Sequence, residues 1–181
     1  MIDDPSTPRS RYSAEPLPPY SYVPGFSPHP VSDPRGHMYK HVAGTPSALE
    51  PERWQDSTAY LYGVDLFNHG FYWEAHEAWE SLWHAAGRAG PVATWLKALI
   101  KLAAAAVKVR EGNAAGAMRH ARRSMDLLHD LEATASPGPN YCGVVLRELE
   151  QITAAVVAEA ELGSLGPAPT RLLDHWIRLA K

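Results

Sequence analysis

Apolar side chains recur at helical spacing along most of the chain after residue 50. Leu149, Ile152 and Val156, for example, lie at positions i, i+3 and i+7, which places them on one face of a helix. No stretch of any length alternates apolar and polar residues as a half-buried strand does. The pattern therefore predicts an all-α fold.

Glycine and proline divide this region into five predicted helices, since proline is favoured in a first helical turn and glycine ends a helix. The helices are predicted over residues 51–69, 72–86, 91–112, 113–133 and 144–160. Asn113 is the expected cap of the fourth helix, and residues 136–140 are the expected loop before the fifth. Connections of about two to five residues favour antiparallel neighbours in a helical bundle.

The first 50 residues follow a different pattern, because eleven of the sixteen prolines lie within residues 1–51. Each proline removes a backbone donor and biases the preceding residue towards extended geometry. We predict an extended proline-rich arm over residues 1–50, with residues 1–15 disordered. The helical bundle is predicted over residues 51–162, and a tail, docked or partly helical, over residues 163–181.

Aromatic residues interleave with the prolines of the arm, at Tyr20, Tyr22, Phe26 and Tyr39. A fully disordered arm carries fewer aromatic residues, so we expect this segment to lie on the bundle. The alternative is that the arm is a proline-rich ligand for the aromatic groove of another protein.

Composition narrows the possible functions. A formal net charge of −3 and a pI near 6.3 argue against a nucleic-acid partner bound through bulk positive charge. The single cysteine, Cys142, excludes an internal disulfide and is typical of a reducing cytoplasm. The N-terminus carries no readable secretory signal, and the apolar run at residues 102–107 is too short to span a membrane. We expect a cytoplasmic protein without a membrane partner, and a homodimer is plausible for a tryptophan-rich bundle face.

The second predicted helix carries the candidate chemistry, in the segment HEAWE at residues 76–80. His76 and Glu80 lie four residues apart, so both project from one side of the helix. This HExxE spacing varies the HExxH motif, in which two ligands bind a metal and the intervening glutamate activates water. His76 and Glu80 are therefore candidate ligands of zinc, manganese or iron, and Glu77 is the candidate general base. Further ligands are expected from residues beside the Gly70 turn, namely Asp65, Asn68 and His69.

The same residues also have a structural interpretation. Glu77 and Glu80 would pair with Lys97 and Lys101 if the second and third helices form an antiparallel hairpin. Lysines beside the carboxylates would then raise the electrostatic cost of binding a cation. Spacing alone leaves the metal site and the ion-pair network as alternatives.

Two further sets of residues are weaker candidates. Histidines of the arm could reach the bundle and complete a site: His29, His37 and His41. Arginines of the fourth predicted helix form either an anion-binding patch or an ordinary solvated face: Arg119, Arg122 and Arg123.

The segment LFNHGFYWEAHEAWESLW at residues 66–83, followed by LKALIKLAAAAVKVREGNAAGAMRHA at residues 96–121, resembles the domain of unknown function 309 family. The resemblance covers about residues 55–130 and implies a small helical bundle. It also implies metal-dependent hydrolysis, the activity with which members have been labelled. Lys97 and Lys101 stand where members often carry glutamine, a departure that argues against a bound cation. The matching positions are Asn68, Gly70, Glu74, His76, Glu77 and Glu80.

The sequence thus predicts an uncharacterised helical-bundle domain that acts as an interaction or scaffold module around a structural polar cluster. The alternative is a metal-dependent hydrolase-like enzyme that uses His76, Glu77 and Glu80, so enzymatic activity is left open. The predicted polar cluster comprises Asn68, Glu74, His76, Glu77, Glu80, Lys97 and Lys101.

Overall fold

The computed structural model describes residues 11–41, 44–135, 138–162, 166–170 and 172–180. Five α-helices form most of this part of the chain, which confirms the predicted all-α class. They are α1 (Thr58–Asn68), α2 (Tyr72–Ala85), α3 (Gly90–Arg110), α4 (Ala114–Ala135) and α5 (Leu146–Glu161). Consecutive helices pack against each other, and α3 lies between α2 and α4 in the centre of the bundle. Within the described residues, no helix has the length and apolar character needed to span a bilayer.

The first predicted helix is wrong as a single element, because it divides at Ser57. Residues Pro51–Asp56 form a 3-10 helix, and α1 begins at Thr58. The backbone of Ser57 is extended, and its side chain accepts a hydrogen bond from the N–H of Tyr60. A serine cap of this kind starts a new helix, since it satisfies a first-turn donor that has no partner within the helix.

A small hairpin before α5 was missed by the sequence pattern. Strands β1 (Asn140–Tyr141) and β2 (Val144–Val145) pair antiparallel, so α5 begins at Leu146 rather than at residue 144. Cys142 and Gly143 both have positive φ values and form the turn between the strands. Strands of two residues are too short to show an alternation of apolar and polar side chains in the sequence, and their pairing depends on this turn.

The predicted ends of the other helices agree closely with the structure. Gly70 has a φ of +84° and lets the chain reverse between α1 and α2. A Cβ atom at this position would lie 2.5 Å from Nη2 of Arg110, so the glycine also admits the end of α3. Asn113 caps α4 as predicted, because its Oδ1 accepts a hydrogen bond of 2.8 Å from the N–H of Gly116.

The arm lies against α1 and α2 through specific hydrogen bonds. The hydroxyl of Tyr62 donates to the carbonyl of Pro16 over 2.9 Å, and the hydroxyl of Ser21 donates to the carbonyl of Gly70 over 2.8 Å. The ring of Tyr22 packs edge-on against Trp73 with a centroid distance of 5.3 Å. Residues 1–10 of the segment predicted to be disordered lie outside the described residues.

The tail returns to the bundle next to the hairpin. Leu179 pairs with Val144 in an isolated antiparallel bridge, and Leu173 and Ile177 are buried. The amide side chain of Asn68 holds the tail from both sides: it donates to the carbonyl of Ile177 and accepts from its N–H, each over 2.8 Å. The arm and the tail thus cover the N-terminal half of the bundle and leave one face of α2 accessible.

Candidate functional site

The accessible face of α2 brings together His76, Glu77 and Glu80. Each offers one ligand atom, and these atoms all lie within 4.8 Å of one another. All three side chains are partly exposed, so an ion can reach them from solvent. We call these three residues the His76 cluster. It is the group of acidic and histidine residues that the HEAWE spacing predicts.

Within the His76 cluster, Nδ1 of His76 lies 3.3 Å from Oε1 of Glu77. A carboxylate in this position fixes the imidazole tautomer with the proton on Nδ1 and leaves Nε2 as the free donor atom. Histidine ligands of protein metals commonly have such a carboxylate partner. Glu77 is therefore placed to orient His76, in addition to the general-base role that the sequence predicts.

The predicted ion pairs between α2 and α3 are not formed. In the part of the chain that the structure describes, neither Lys97 nor Lys101 comes within 4.0 Å of the carboxylate oxygens of Glu77 or Glu80. The ammonium of Lys97 instead lies 5.2 Å from the centre of the Trp83 ring. Trp83 attracts the cation through its π face, one helical turn away from Glu80.

Asn68 and Glu74, two other members of the predicted polar cluster, do not belong to the His76 cluster and have structural partners instead. Asn68 is buried and forms two hydrogen bonds to the tail. Glu74 is 4% exposed and faces the arm, where its Oε1 accepts a hydrogen bond of 2.8 Å from the N–H of Tyr22. Asn68 lies at the end of α1, and Glu74 lies in the first turn of α2, which the arm covers.

The residues beside the Gly70 turn also have structural partners. The buried carboxylate of Asp65 accepts hydrogen bonds from the N–H groups of Tyr12 and Ser13, over 2.7 and 2.8 Å. Nδ1 of His69 lies 2.8 Å from the carbonyl oxygen of Asp65. Neither residue belongs to the His76 cluster. The expectation that they supply further metal ligands is wrong, because the chain uses them to hold the arm and to end α1.

A buried polar group under the arm joins Glu74 and His37, which the sequence analysis names separately, to Arg110, which it does not name. Glu74 meets His37 of the arm, whose Nε2 lies 3.7 Å from Oε1 of Glu74. Arg110 of α3 is also buried, donates from Nη1 to the hydroxyl of Ser21 over 2.7 Å and lies above the ring of Tyr72. One feature of the sequence indicates this group: a glutamate follows two aromatic residues in the first turn of α2.

Burial dominates the electrostatics of Glu74. Loss of solvent raises the pKa of its carboxyl to about 7, and the hydrogen bond from Tyr22 and the charge of Arg110 offset only part of that rise. Burial likewise lowers the pKa of His37. Both shifts favour the uncharged forms, and a pKa of about 7 leaves the Glu74 carboxyl about half protonated at neutral pH.

We expect Glu74→Gln to stabilise the protein at pH 8. A folded-state pKa of about 7, above the usual 4.5, means that the native state binds the proton more tightly, so stability falls as pH rises between these values. Glutamine keeps an oxygen for the N–H of Tyr22 and removes the charge. Urea unfolding in metal-free buffer should show a gain of about 3 kcal/mol at pH 8 and less than about 1 kcal/mol at pH 5. The matched control is Glu132→Gln on the exposed face of α4; an equal gain at both pH values would contradict the prediction.

The other candidate residues, in the arm and on α4, lie outside the His76 cluster. His29 packs on Trp73 with a centroid distance of 5.4 Å, while His41 is exposed. Among the three arginines of α4, two have carboxylate partners: Arg122 lies 3.1 Å from Glu161, and Arg123 lies 3.8 Å from Asp126. Arg119 is exposed and forms no ion pair within the described ranges.

The donor set of the His76 cluster fits a divalent ion. One imidazole nitrogen and carboxylate oxygens suit zinc, manganese or iron, whose bonds to such atoms are about 2.0–2.2 Å long. The ligand atoms lie within 4.8 Å of one another, and two bonds of this length allow a separation of about 4 Å at most. A site built on one helix leaves the remaining positions of the ion open to water or substrate.

Comparison with known proteins finds similarity to one family model and indicates no activity. No curated protein matches the chain at a significant level of similarity. A family model, described as a domain of unknown function (DUF309), matches residues 60–120, a segment that contains α2, α3 and the whole His76 cluster. Residues 60–120 are thus similar to the DUF309 family, and the resemblance predicted from the motifs is confirmed for this segment.

Proposed function

We propose that the bundle binds one divalent metal ion at the His76 cluster, with His76 and Glu80 as ligands and Glu77 orienting His76. The observation that carries this proposal is the convergence of three ligand atoms within 4.8 Å on an accessible helix face. Free carboxylates strengthen it, since Lys97 and Lys101 do not neutralise Glu77 or Glu80 within the described structure.

A bound ion of this kind supplies Lewis acidity and lowers the pKa of a bound water. Glu77 then has a second possible role, as the base that accepts a proton in a hydrolytic reaction. Its carboxylate is partly exposed and lies beside the ligand atoms, which is the placement that a general base requires. Hydrolysis is accordingly the reaction class that we propose for this face of α2.

The experiment is metal analysis of the full chain purified without added metal, followed by titration with Zn²⁺ and Co²⁺. We expect one equivalent of metal and a melting temperature that falls on chelation, because an ion bound only by the folded state stabilises it. His76→Ala should weaken binding about 100-fold, by loss of the nitrogen ligand. The matched control is His84→Ala, since His84 lies on the same helix outside the cluster and receives a hydrogen bond from Arg88.

Glu77→Gln separates the two roles of Glu77. Glutamine keeps an oxygen that accepts a hydrogen bond from Nδ1 of His76, so this variant should keep metal affinity within about threefold. It lacks the general base and should lose hydrolysis of a generic ester such as p-nitrophenyl acetate. Absence of stoichiometric metal, together with an unchanged melting curve in chelator, would refute the metal site. Equal metal loss in the His76 and His84 variants would refute it as well.

A second candidate function is a non-catalytic interaction module, the interpretation that the sequence favours. One observation supports it: Phe26 and Val31 of the arm are 53% and 47% exposed. The aromatic face of the bundle supports it less, because Tyr22 and His29 pack on Trp73, and cationic side chains lie over Trp83. Sedimentation of the full chain tests the homodimer that the sequence allows.

A further inference from the structure

A cavity of about 500 Å³ lies where the 3-10 helix meets the hairpin and the tail. Its wall comes from five parts of the described chain: the 3-10 helix, the first turn of α3, the last residue of α4, the hairpin and the end of the tail. Binding sites for small molecules have volumes of about 300–1,000 Å³, so the cavity has the size of such a site. None of the three residues of the His76 cluster lines it, so it is separate from the proposed metal site.

Two aromatic residues line this cavity, Trp54 of the 3-10 helix and Tyr141 of β1. The ring of Trp54 lies against Gly143, where a Cβ atom would collide with it. The ring of Tyr141 packs edge-on against Trp95 with a centroid distance of 5.6 Å. These contacts fix both rings, and both residues remain partly exposed. The cavity therefore has a fixed aromatic surface that a ligand can reach from solvent.

Glu52 is the only charged residue that lines the cavity within the described part of the chain. Its neighbours Glu50 and Asp56 both pair with Arg53, at 3.8 and 2.8 Å. Glu52 is exposed and forms no ion pair with any other described residue. The cavity thus contains one carboxylate whose charge is not neutralised by a described side chain.

The other groups around the cavity leave its charge negative. Burial raises the pKa of the Tyr141 hydroxyl to about 12, and the charges of Cys142 and Glu52 add to this rise. Burial also raises the pKa of the Cys142 thiol, with a further contribution from Glu52, so both groups are uncharged at neutral pH. Because α3 begins and α4 ends at the cavity, the opposite partial charges of these helix ends offset each other. Among the described groups, Glu52 therefore decides the sign.

We propose that this cavity binds a small organic ammonium ion, which contacts the rings of Trp54 and Tyr141 and is neutralised by Glu52. Aromatic faces attract alkylated ammonium groups through their π electrons, and the attraction grows as the cation loses solvent. The carboxylate adds the counter-charge. Apolar residues of the wall supply the surface that the alkyl groups contact: Pro51, Pro91 and Ala180. This inference goes beyond the metal site of α2 and does not depend on it.

The test is titration of the full chain with choline in metal-free, low-salt buffer. The comparison ligand is dimethylbutanol, the neutral analogue of choline in which carbon replaces the nitrogen. NMR of the ligand follows binding, because aromatic rings shift the N-methyl signal of choline upfield. We expect saturable binding of choline, and binding of the neutral analogue that is weaker by about tenfold or more, since it lacks both the cation–π attraction and the counter-charge.

Two variants separate the charge from the rings. Glu52→Gln should weaken choline binding about fivefold and keep the fold, because this side chain is exposed. The matched control is Glu50→Gln, which removes an equal charge outside the cavity and should change affinity less than about twofold. Tyr141→Leu should weaken binding about fivefold and reduce the upfield shift, while Tyr141→Phe keeps the ring and should retain both.

Three results would overturn the ammonium site. Equal binding of choline and dimethylbutanol would show an apolar cavity without preference for a cation. Equal weakening by the Glu52 and Glu50 variants would show only a general electrostatic effect. Failure of the wild-type chain to saturate with choline would show that the cavity holds no such ligand. None of these measurements involves a metal, so they leave the proposal for the His76 cluster untouched.

Discussion

Replacing Trp79 by alanine is expected to lower the free energy of unfolding by about 4 kcal/mol, the largest effect of any single change considered. Trp79 of α2 is fully buried, and its ring packs against Phe67 of α1 with a centroid distance of 5.9 Å. Alanine removes this contact and leaves a cavity that the surrounding side chains fill only in part.

Gly63 of α1 shows how tightly this contact is packed. A Cβ atom at Gly63 would lie 2.3 Å from Nε1 of Trp79, so α1 approaches the indole at a distance that only glycine permits. Urea unfolding of Trp79→Ala measures the effect. The matched control is Trp83→Ala on the partly exposed side of the same helix, for which we expect about 1 kcal/mol. Equal losses in the two variants would show that α2 is not anchored through Trp79.

The second large effect is expected for Asp65→Ala, at about 3 kcal/mol. The carboxylate of Asp65 is completely buried and accepts three hydrogen bonds from the arm: from the N–H of Tyr12, and from the N–H and the hydroxyl of Ser13. Tyr12 in turn accepts, through its hydroxyl, a hydrogen bond of 3.1 Å from the N–H of Leu179 in the tail. Loss of one carboxylate should therefore release both the start of the arm and the end of the tail.

Hydrogen exchange of the backbone amides checks this prediction, together with urea unfolding. Protection of Tyr12, Ser13 and Leu179 should fall about 100-fold in Asp65→Ala, since exchange follows the free energy of local opening. Asp65→Asn, which keeps one acceptor oxygen, should lie between the wild type and Asp65→Ala. Ser13→Ala, which loses the hydroxyl bond alone, should cost about 1 kcal/mol. Full protection of the arm in Asp65→Ala would refute the role of this carboxylate.

Helix positions and the candidate cluster could be read from the sequence because both depend on local spacing. Apolar residues at i, i+3 and i+7 identify a helix, and His76 and Glu80 at i and i+4 share a face in any helix. Glu77 follows from the same geometry. The cap at Ser57 shows the limit of this reasoning, since a serine before an apolar run ends one helix or starts another depending on the backbone around it.

The partners of each polar side chain could not be read from the sequence. Lys97 and Lys101 lie one turn apart on the same side of α3, so their spacing does not distinguish them. In the structure one lies over Trp83, and the other has no partner among the described residues. Glu74 and Glu77 are likewise both glutamates of one helix, and the sequence does not distinguish them. Glu74 is buried under the arm, and burial raises the pKa of its carboxyl.

The sequence by itself determined the all-α class, most helix ends and the presence of His76, Glu77 and Glu80 on one side of a helix, because these follow from a period of about 3.6 residues. Only the tertiary structure decided which charges remain unpaired and which polar groups lose their solvent. Asp65 and Asn68 bind segments that are 52 and 109 residues away along the chain. Contacts of that kind depend on how the arm and the tail return to the bundle, and the energies of a buried carboxylate or a free lysine depend on those contacts.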